Sequence, residues 1–403
     1  MTERAEKGSW PVRPEAAGAP TSGIVDVMSR GRTREGLIPL YVGEGDLKTP
    51  AFIADAARRS LEAGDTFYTW QRGIPELREA IARYMGRVYG ASHDPDRFYV
   101  TVGGMHAAQI ALRIAAGDGD EVLIPTPCWP NFDGAARVAG ATPVSVPIDV
   151  GPAGWHLDLD RLAGAITPRT RALVINSPAN PTGWTAGLDD LSAILGIARR
   201  HGLWVIADEI YARFVHEPRL VAAGRSPSFR DVMEPDDRVM FVQTFSKNWA
   251  MTGWRIGWLE APPALGPVIE NLVQYSTSGV AGFLQKAAVT ALDDGEPFVA
   301  DQIARARRGR AIVCDGLRAT NVVDLPVPPA AFYAFFRVEG VSDTRRLAFD
   351  LIDQAGVGIA PGSAFGPGGE HHSRLCFLRG EGDLEEAVSR LSAVLPQLAS
   401  AGR

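Results

Sequence analysis

Val239-Met240-Phe241-Val242-Gln243-Thr244-Phe245-Ser246-Lys247 sets an unbroken apolar run just ahead of a lysine. Four apolar residues in succession, bounded by polar ones, read as a short strand buried on both faces, as in a parallel sheet covered by helices. The pattern recurs at 98–102, 121–124, 172–176, 203–207 and 256–259. Helical stretches lie between, the clearest at 188–201 with Gly202 as its stop. This alternation predicts an α/β fold with a mostly parallel sheet under helices.

Either side of this region the pattern changes. Residues 1–36, rich in Pro, Gly, Arg and Glu, show little periodicity and read as an arm. Thr49-Pro50 reads as a helix start, with a hydroxyl cap and proline in first position, and Gly64 closes that helix. A second helix begins at Pro75, carries Leu77, Ile81, Tyr84, Met85 and Val88 on one face, and has Gly90 beyond its end. From about residue 297 come a charged helix (298–317), a β-like stretch (331–338) and two amphipathic helices, the outline of an α+β unit. The expected organisation is an N-terminal arm packing with a small domain (1–50), a large domain (51–296) and a smaller C-terminal domain (297–403).

Composition narrows the function. With 403 residues, 46% hydrophobic and 22% charged, the chain can bury the core of a two-domain enzyme. A formal net charge of -6 argues against broad binding to nucleic acid or anionic membranes. Cys128, Cys314 and Cys376 lie far apart, without zinc-site or disulfide spacing, which fits a reducing compartment. Met1 to Trp10 is polar, and no run approaches the roughly 18 apolar residues of a membrane span, so a soluble cytoplasmic protein is expected.

A lysine at the end of a buried strand is an odd place for a solvated ammonium. Ligands bind at strand ends in such sheets, and an ammonium held out of water loses its proton readily. The neutral amine can form an imine with an aldehyde. Thr244 and Arg255 add a hydroxyl and a fixed cation, as a phosphate would need. Aldehyde and phosphate together point to pyridoxal 5′-phosphate.

That cofactor also needs a carboxylate at its ring nitrogen, donors to its phenolic oxygen, a phosphate cradle and a stacking surface. Asp208 ends the strand at 203–207, where a buried carboxylate requires a partner. Tyr211 follows, with its hydroxyl expected on the same side. Asn180, in Asn176-Ser177-Pro178-Ala179-Asn180-Pro181, sits past another strand with an amide to donate. Gly103-Gly104-Met105 joins a strand to a helix, where backbone N–H groups can approach an anion. Trp129 can stack on a ring, and Arg374 offers a planar fork to a substrate carboxylate.

Taken singly, each has a plainer reading: a helix cap for Asp208, a turn for Asn180 and for the glycines, a core ring for Trp129, a surface ion pair for Arg374. His106, beside the glycines, reads as a helix-face histidine more readily than a ligand contact. Adjacent His371 and His372, in Gly- and Pro-rich surroundings, read as a solvated loop rather than a metal site. The Arg305-Ala306-Arg307-Arg308-Gly309-Arg310 cluster reads as an exposed helix face. No Walker loop, HExxH or Gly-x-Ser-x-Gly elbow is present.

Together the pieces resemble the class I/II aminotransferases, the fold-type I pyridoxal phosphate enzymes with the aspartate aminotransferase fold. The motifs are Gly43-Glu44-Gly45-Asp46, Tyr68 with Gly73-Ile74-Pro75-Glu76-Leu77-Arg78, Asn180-Pro181-Thr182-Gly183, Asp208-Glu209-Ile210-Tyr211, and Ser246-Lys247 with Met251-Thr252-Gly253-Trp254-Arg255. They span nearly the whole chain from Leu37. The resemblance implies that Lys247 holds the cofactor as an imine and shuttles the substrate proton. It implies that Asp208 meets the ring nitrogen, and that Asn180 and Tyr211 meet the phenolic oxygen. Thr244, Arg255 and the Gly104-Met105 backbone would hold phosphate, Trp129 would stack, and Arg374 with the Gly43 backbone would take the substrate carboxylate. Trp129 and Asn180 would also border the substrate. Tyr68 would reach the phosphate of a neighbouring subunit, implying a homodimer.

Two departures stand out. Met105 occupies a position where a hydroxyl or lysine is frequent, so a contact there must come from the backbone. Pro329-Ala330-Ala331 stands where the family usually has glycine. No further arginine or lysine can be assigned to a side-chain carboxylate.

The expected activity is ping-pong amino-group transfer between an L-amino acid and a 2-oxo acid. The alternative on the same scaffold is a β-lyase, a synthase or an oxidase. A cofactor-sensing regulator would need a DNA-binding module, and the stretch before Leu37 shows no helix-turn-helix pattern. Trp10, Trp70 and Gln71 are candidate pocket residues for a substrate that the sequence leaves open.

Overall fold

The computed structural model describes Val12 and residues 14–401; Trp10 lies outside the described residues. Seven strands form the larger sheet: β1 (Phe98–Thr101), β2 (Glu121–Thr126), β3 (Thr142–Pro147), β4 (Thr170–Asn176), β5 (Trp204–Asp208), β6 (Val239–Thr244) and β7 (Gly257–Glu260). Their spatial order is β1-β7-β6-β5-β4-β2-β3. Neighbours run parallel except at β7, which is antiparallel to both β1 and β6.

Successive residues of these strands feed cores on opposite faces, as the two-residue period requires. Val174, Ile206, Met240 and Val242 pack into one core, and Leu173, Ile175, Val205, Ala207, Val239 and Phe241 into the other. Both faces being covered explains why these strands are apolar throughout. Register then sets the site, because Asn176 pairs with Asp208 and Asp208 with Val242, which brings three carboxyl ends level.

The helix Leu188–His201 ends at Gly202 in the left-handed conformation (φ 65°), which a Cβ would oppose. The helix Pro75–Tyr89 has proline in its first turn and Gly90 at its end. Ala51–Glu62 starts differently from expectation. Thr49 does not cap it; its hydroxyl donates to the Ala250 carbonyl at 2.7 Å, and Pro50 takes the cap position.

The smaller sheet is antiparallel: β8 (Val323–Asp324), β9 (Tyr333–Val338), β10 (Ala360–Pro361) and β11 (His372–Cys376), in the order β8-β9-β11-β10. His372 is therefore a buried strand residue, not part of a solvated loop; its ring stacks on Phe335 at 4.8 Å. The long helix Glu296–Ala319 does not leave its arginines idle either. Arg305 pairs with Asp46 at 2.9 Å, and Arg307 and Arg310 donate to the Val215 and Pro328 carbonyls. Only Arg308 fits the exposed face expected of that cluster, pairing with Glu381 at half exposure.

The early chain is more ordered than its composition suggests. A helix, Gly23–Gly31, buries Val27 and puts Ile24 toward the site. Ile38–Pro39 pairs in parallel with Val357–Gly358, and Asp26 and Arg30 bridge to Arg345 and Asp353. Residues 23–46 thus ride on the elements around the smaller sheet.

Candidate active site

A cavity of about 400 Å³ opens at the carboxyl ends of β4, β5 and β6, closed from the far side by the segment 41–44 and by β9 and β11. Lys247 enters from the loop after β6. Its Nζ donates to the Gly43 carbonyl at 2.7 Å, and burial pulls its pKa down from 10.5 to about 8. A neutral amine is thus within reach near physiological pH.

Asp208, at the tip of β5, is 1% exposed. One carboxyl oxygen accepts the Ile210 N–H at 3.2 Å, but among the described residues no cation pairs with it. Burial raises its pKa from 3.8 to about 7. A buried carboxylate without a cation is costly unless a ligand provides one.

Tyr211 and Tyr333 share a hydrogen bond between their hydroxyls at 2.8 Å. Tyr333 comes from β9 and packs so closely on Gly43 that a Cβ there would fall 2.4 Å from its hydroxyl. Arg374, 2% exposed, lies between the rings of Tyr333 (4.7 Å) and Phe365 (4.8 Å). Its Nη1 donates to Asn180 Oδ1 at 2.9 Å and its Nη2 to the Tyr41 carbonyl, while Nε has no partner. Because Asn180 Oδ1 is taken, its Nδ2 is the end left to donate.

The opposite end of the cavity is an anion cradle. The helix Gly103–Ala115 starts there with no capping side chain, so its first N–H groups are uncommitted. Gly103 has φ 76°, and a Cβ on it would meet Arg255 Nη2 at 2.6 Å. Thr244 Oγ1 donates to Ser246 Oγ at 2.9 Å and accepts the Ser246 N–H at 3.1 Å. Ala250 and Arg255, bracketing a tight turn, are both left-handed without being glycine (φ 52° and 53°). Each such residue costs on the order of 1–3 kcal/mol, a strain typical of functional turns.

The structure thus gathers Lys247, Asp208, Tyr211, Asn180, Gly43, Gly104, Met105, Trp129, Thr244, Arg255 and Arg374 around one cavity. Trp129 is partly buried, edge-on to Phe132 at 5.3 Å. The Met105 thioether accepts from Asn131 Nδ2 at 3.5 Å, and the side chain packs on the core beneath the helix. Tyr68 stands apart at 94% exposed, as does Trp70 at 62%. Gln71 bonds Gln274 on the surface.

His106 belongs to the helix: Nδ1 accepts the Val102 N–H and Nε2 donates to Ser276 Oγ at 2.9 Å. Burial lowers its pKa to about 4, so it stays neutral. Sequence reasoning missed Tyr333, Tyr41, Ile24 and the Ser246 hydroxyl. For Ser246 the signal was its place beside Lys247; Tyr333 arrives from a strand far along the chain and had none.

The chain matches the family described as Aminotransferase class I and II over residues 35–391. It is 33% identical over 383 residues to an aspartate aminotransferase of Rhizobium meliloti, covering 91% of each chain. It is 35% identical over 369 residues to aromatic-amino-acid aminotransferase 2 of Thermococcus litoralis, covering 90% of this chain and 92% of that one. Among solved structures, the aspartate aminotransferase of Thermus thermophilus with maleate superposes with TM-score 0.87 at 33% identity, over 96% of this chain and 100% of that one. The aromatic aminotransferase of Pyrococcus horikoshii gives 0.84 at 33%, over 92% and 99%. The expected fold is therefore the observed one, and the protein belongs to the class I and II aminotransferases, enzymes that transfer amino groups with pyridoxal 5′-phosphate.

Proposed function

We propose that this chain binds pyridoxal 5′-phosphate in the 400 Å³ cavity and moves an amino group between an L-amino acid and a 2-oxo acid in two half-reactions at one site. The observation that carries this is the pairing of needs: an amine eased toward neutrality, a buried carboxyl lacking a cation, and an uncommitted anion cradle, all on one cavity.

Bound there, the cofactor would supply an aldehyde and an electron-accepting ring. Lys247 Nζ is the group to join the aldehyde and, once displaced by substrate, to take and return the Cα proton. The Asp208 carboxylate is the partner for a protonated ring nitrogen. The Tyr211 hydroxyl and Asn180 Nδ2 are donors for the phenolic oxygen. Thr244, Ser246, Arg255 and the N–H groups of Gly104 and Met105 would hold phosphate, with Trp129 against the ring. Arg374, its fork fixed between two rings, would receive the substrate carboxylate beside the Gly43 backbone.

The exposed aromatics support a homodimer. Phe67 (85%), Tyr68 (94%), Trp70 (62%) and Tyr275 (88%) leave large rings in water on the monomer, and in a dimer Tyr68 would serve the neighbouring site. The same reading divides the chain into an arm (1–50), a large unit (51–296) and a small unit (297–403). Among the described residues no helix is long and apolar enough to cross a membrane, and we place the enzyme in the cytoplasm.

The test is a reaction without acceptor. An amino-group transferase releases one equivalent of 2-oxo acid per site and stops; continued release would mean a lyase or an oxidase. Arg374→Ala should lower kcat/KM by about 2–5 kcal/mol, the usual cost of removing one partner of a desolvated charge pair. An unchanged kcat/KM would remove Arg374 from the site.

A further inference from the structure

With Lys247, Arg255 and Arg374 taken in the roles proposed above, on which this step rests, no cation is left among the described residues lining the cavity. The wall left without a role includes Ile24, Val42, Glu44, the Met105 side chain and Asn131. Glu44, its one charged group, is negative. A substrate bearing a second carboxylate would give up water there and gain no counter-ion from this chain. An apolar side chain would cover Ile24, Val42 and Met105 instead, at about fourfold in affinity per methylene buried.

A second cavity, of about 630 Å³, lies behind that wall. Met105 and Asn131 line both cavities, and the 3.5 Å contact between them stands at the partition. An unbranched thioether is a partition that yields easily. Phe365, stacked on Arg374 at 4.8 Å, also lines the second cavity, so this space adjoins the carboxylate anchor. Its charged groups are spoken for: Arg345 pairs with Asp26 at 2.6 Å, and Asp133 with Arg137 at 2.8 Å.

We infer that the substrate is an amino acid with a large uncharged side chain, which passes Met105 and Asn131 into the second cavity.

The test uses the cofactor-loaded enzyme with L-phenylalanine, L-methionine and L-leucine against L-aspartate and L-glutamate. The neutral donors should lead by at least about 100-fold in kcat/KM. Calorimetry with unreactive acids should agree, 3-phenylpropionate binding more tightly than succinate. Met105→Lys, which adds the missing cation, should narrow both gaps at least tenfold. Gln109→Trp, which narrows the second cavity, should lower the phenylalanine-to-alanine ratio of kcat/KM about tenfold. Dicarboxylic donors that bleach the cofactor's visible band as fast as neutral ones would overturn this inference while leaving the site's roles intact. An unmoved ratio in Gln109→Trp would overturn the part played by the second cavity. If no amino acid bleached the band, the roles themselves would fail and this inference with them.

Discussion

Lys247→Ala protein should fold, bind pyridoxal 5′-phosphate only reversibly, and turn over at least about 10⁴-fold more slowly than the parent enzyme. In the roles proposed for Lys247, the substitution removes two functions at once, the covalent hold on the cofactor and the base that takes the Cα proton. It also frees the Gly43 carbonyl, which accepts Nζ at 2.7 Å, on a cavity of about 400 Å³ that has room for a water to replace the lost donor. Stability should therefore change little, and a melting curve separates the two effects. Activity within tenfold of the parent, with the fold intact, would remove Lys247 from the chemistry.

Asp208→Asn should move stability and activity in opposite directions. Asp208 titrates near 7 in the folded chain against an ordinary 3.8, because burial disfavours its charge. A raised carboxyl pKa costs nothing below pH 4, where the group is protonated in both states. The cost grows from pH 4 to 7 and is complete above. Cofactor-free Asp208→Asn should therefore be more stable than the parent at pH 8, by up to about 4 kcal/mol, and equal to it at pH 4. With cofactor the sign reverses. Losing the carboxylate proposed to face a protonated ring nitrogen should cost about 3–5 kcal/mol, or roughly 10²- to 10⁴-fold in turnover. Urea titrations of the cofactor-free proteins at both pH values measure the first effect, and kcat/KM the second. A variant less stable than the parent at pH 8 would mean that Asp208 is a structural residue already satisfied without a ligand.

The central strands were legible because both their faces are buried, which leaves an unbroken apolar signature in five or six residues. β3 was not, since it lies at the sheet edge and Thr142-Pro143-Val144-Ser145-Val146-Pro147 is exposed at two of its six positions. The helix Gly23–Gly31 escaped notice for a related reason: it buries only Val27 and Gly31 and leans on the smaller sheet for its order. Thr49 shows tertiary structure overriding a local signal, its hydroxyl drawn to Ala250 instead of the helix it precedes.

The site divides along the same line. Residues at strand ends, such as Asp208, Thr244 and Lys247, were readable because strands aim them at one edge. The Tyr211–Tyr333 bond and the stacking of Arg374 between Tyr333 and Phe365 join parts of the chain more than a hundred residues apart or held by another sheet. No local spacing encodes such contacts. Ala331 is a case where a family preference acquires a physical cost: it lies at φ 63°, donating its N–H to Phe214 at 2.8 Å, in a region that favours glycine.

The most direct measurement is reduction of the loaded protein with borohydride, followed by peptide mass analysis. A pyridoxyl mass added at Lys247, absent from Lys247→Ala and from unreduced protein, is the predicted result. A cofactor-saturated sample in which Lys247 carries no label, or in which a different lysine does, would contradict the assignment of this residue and the site built around it.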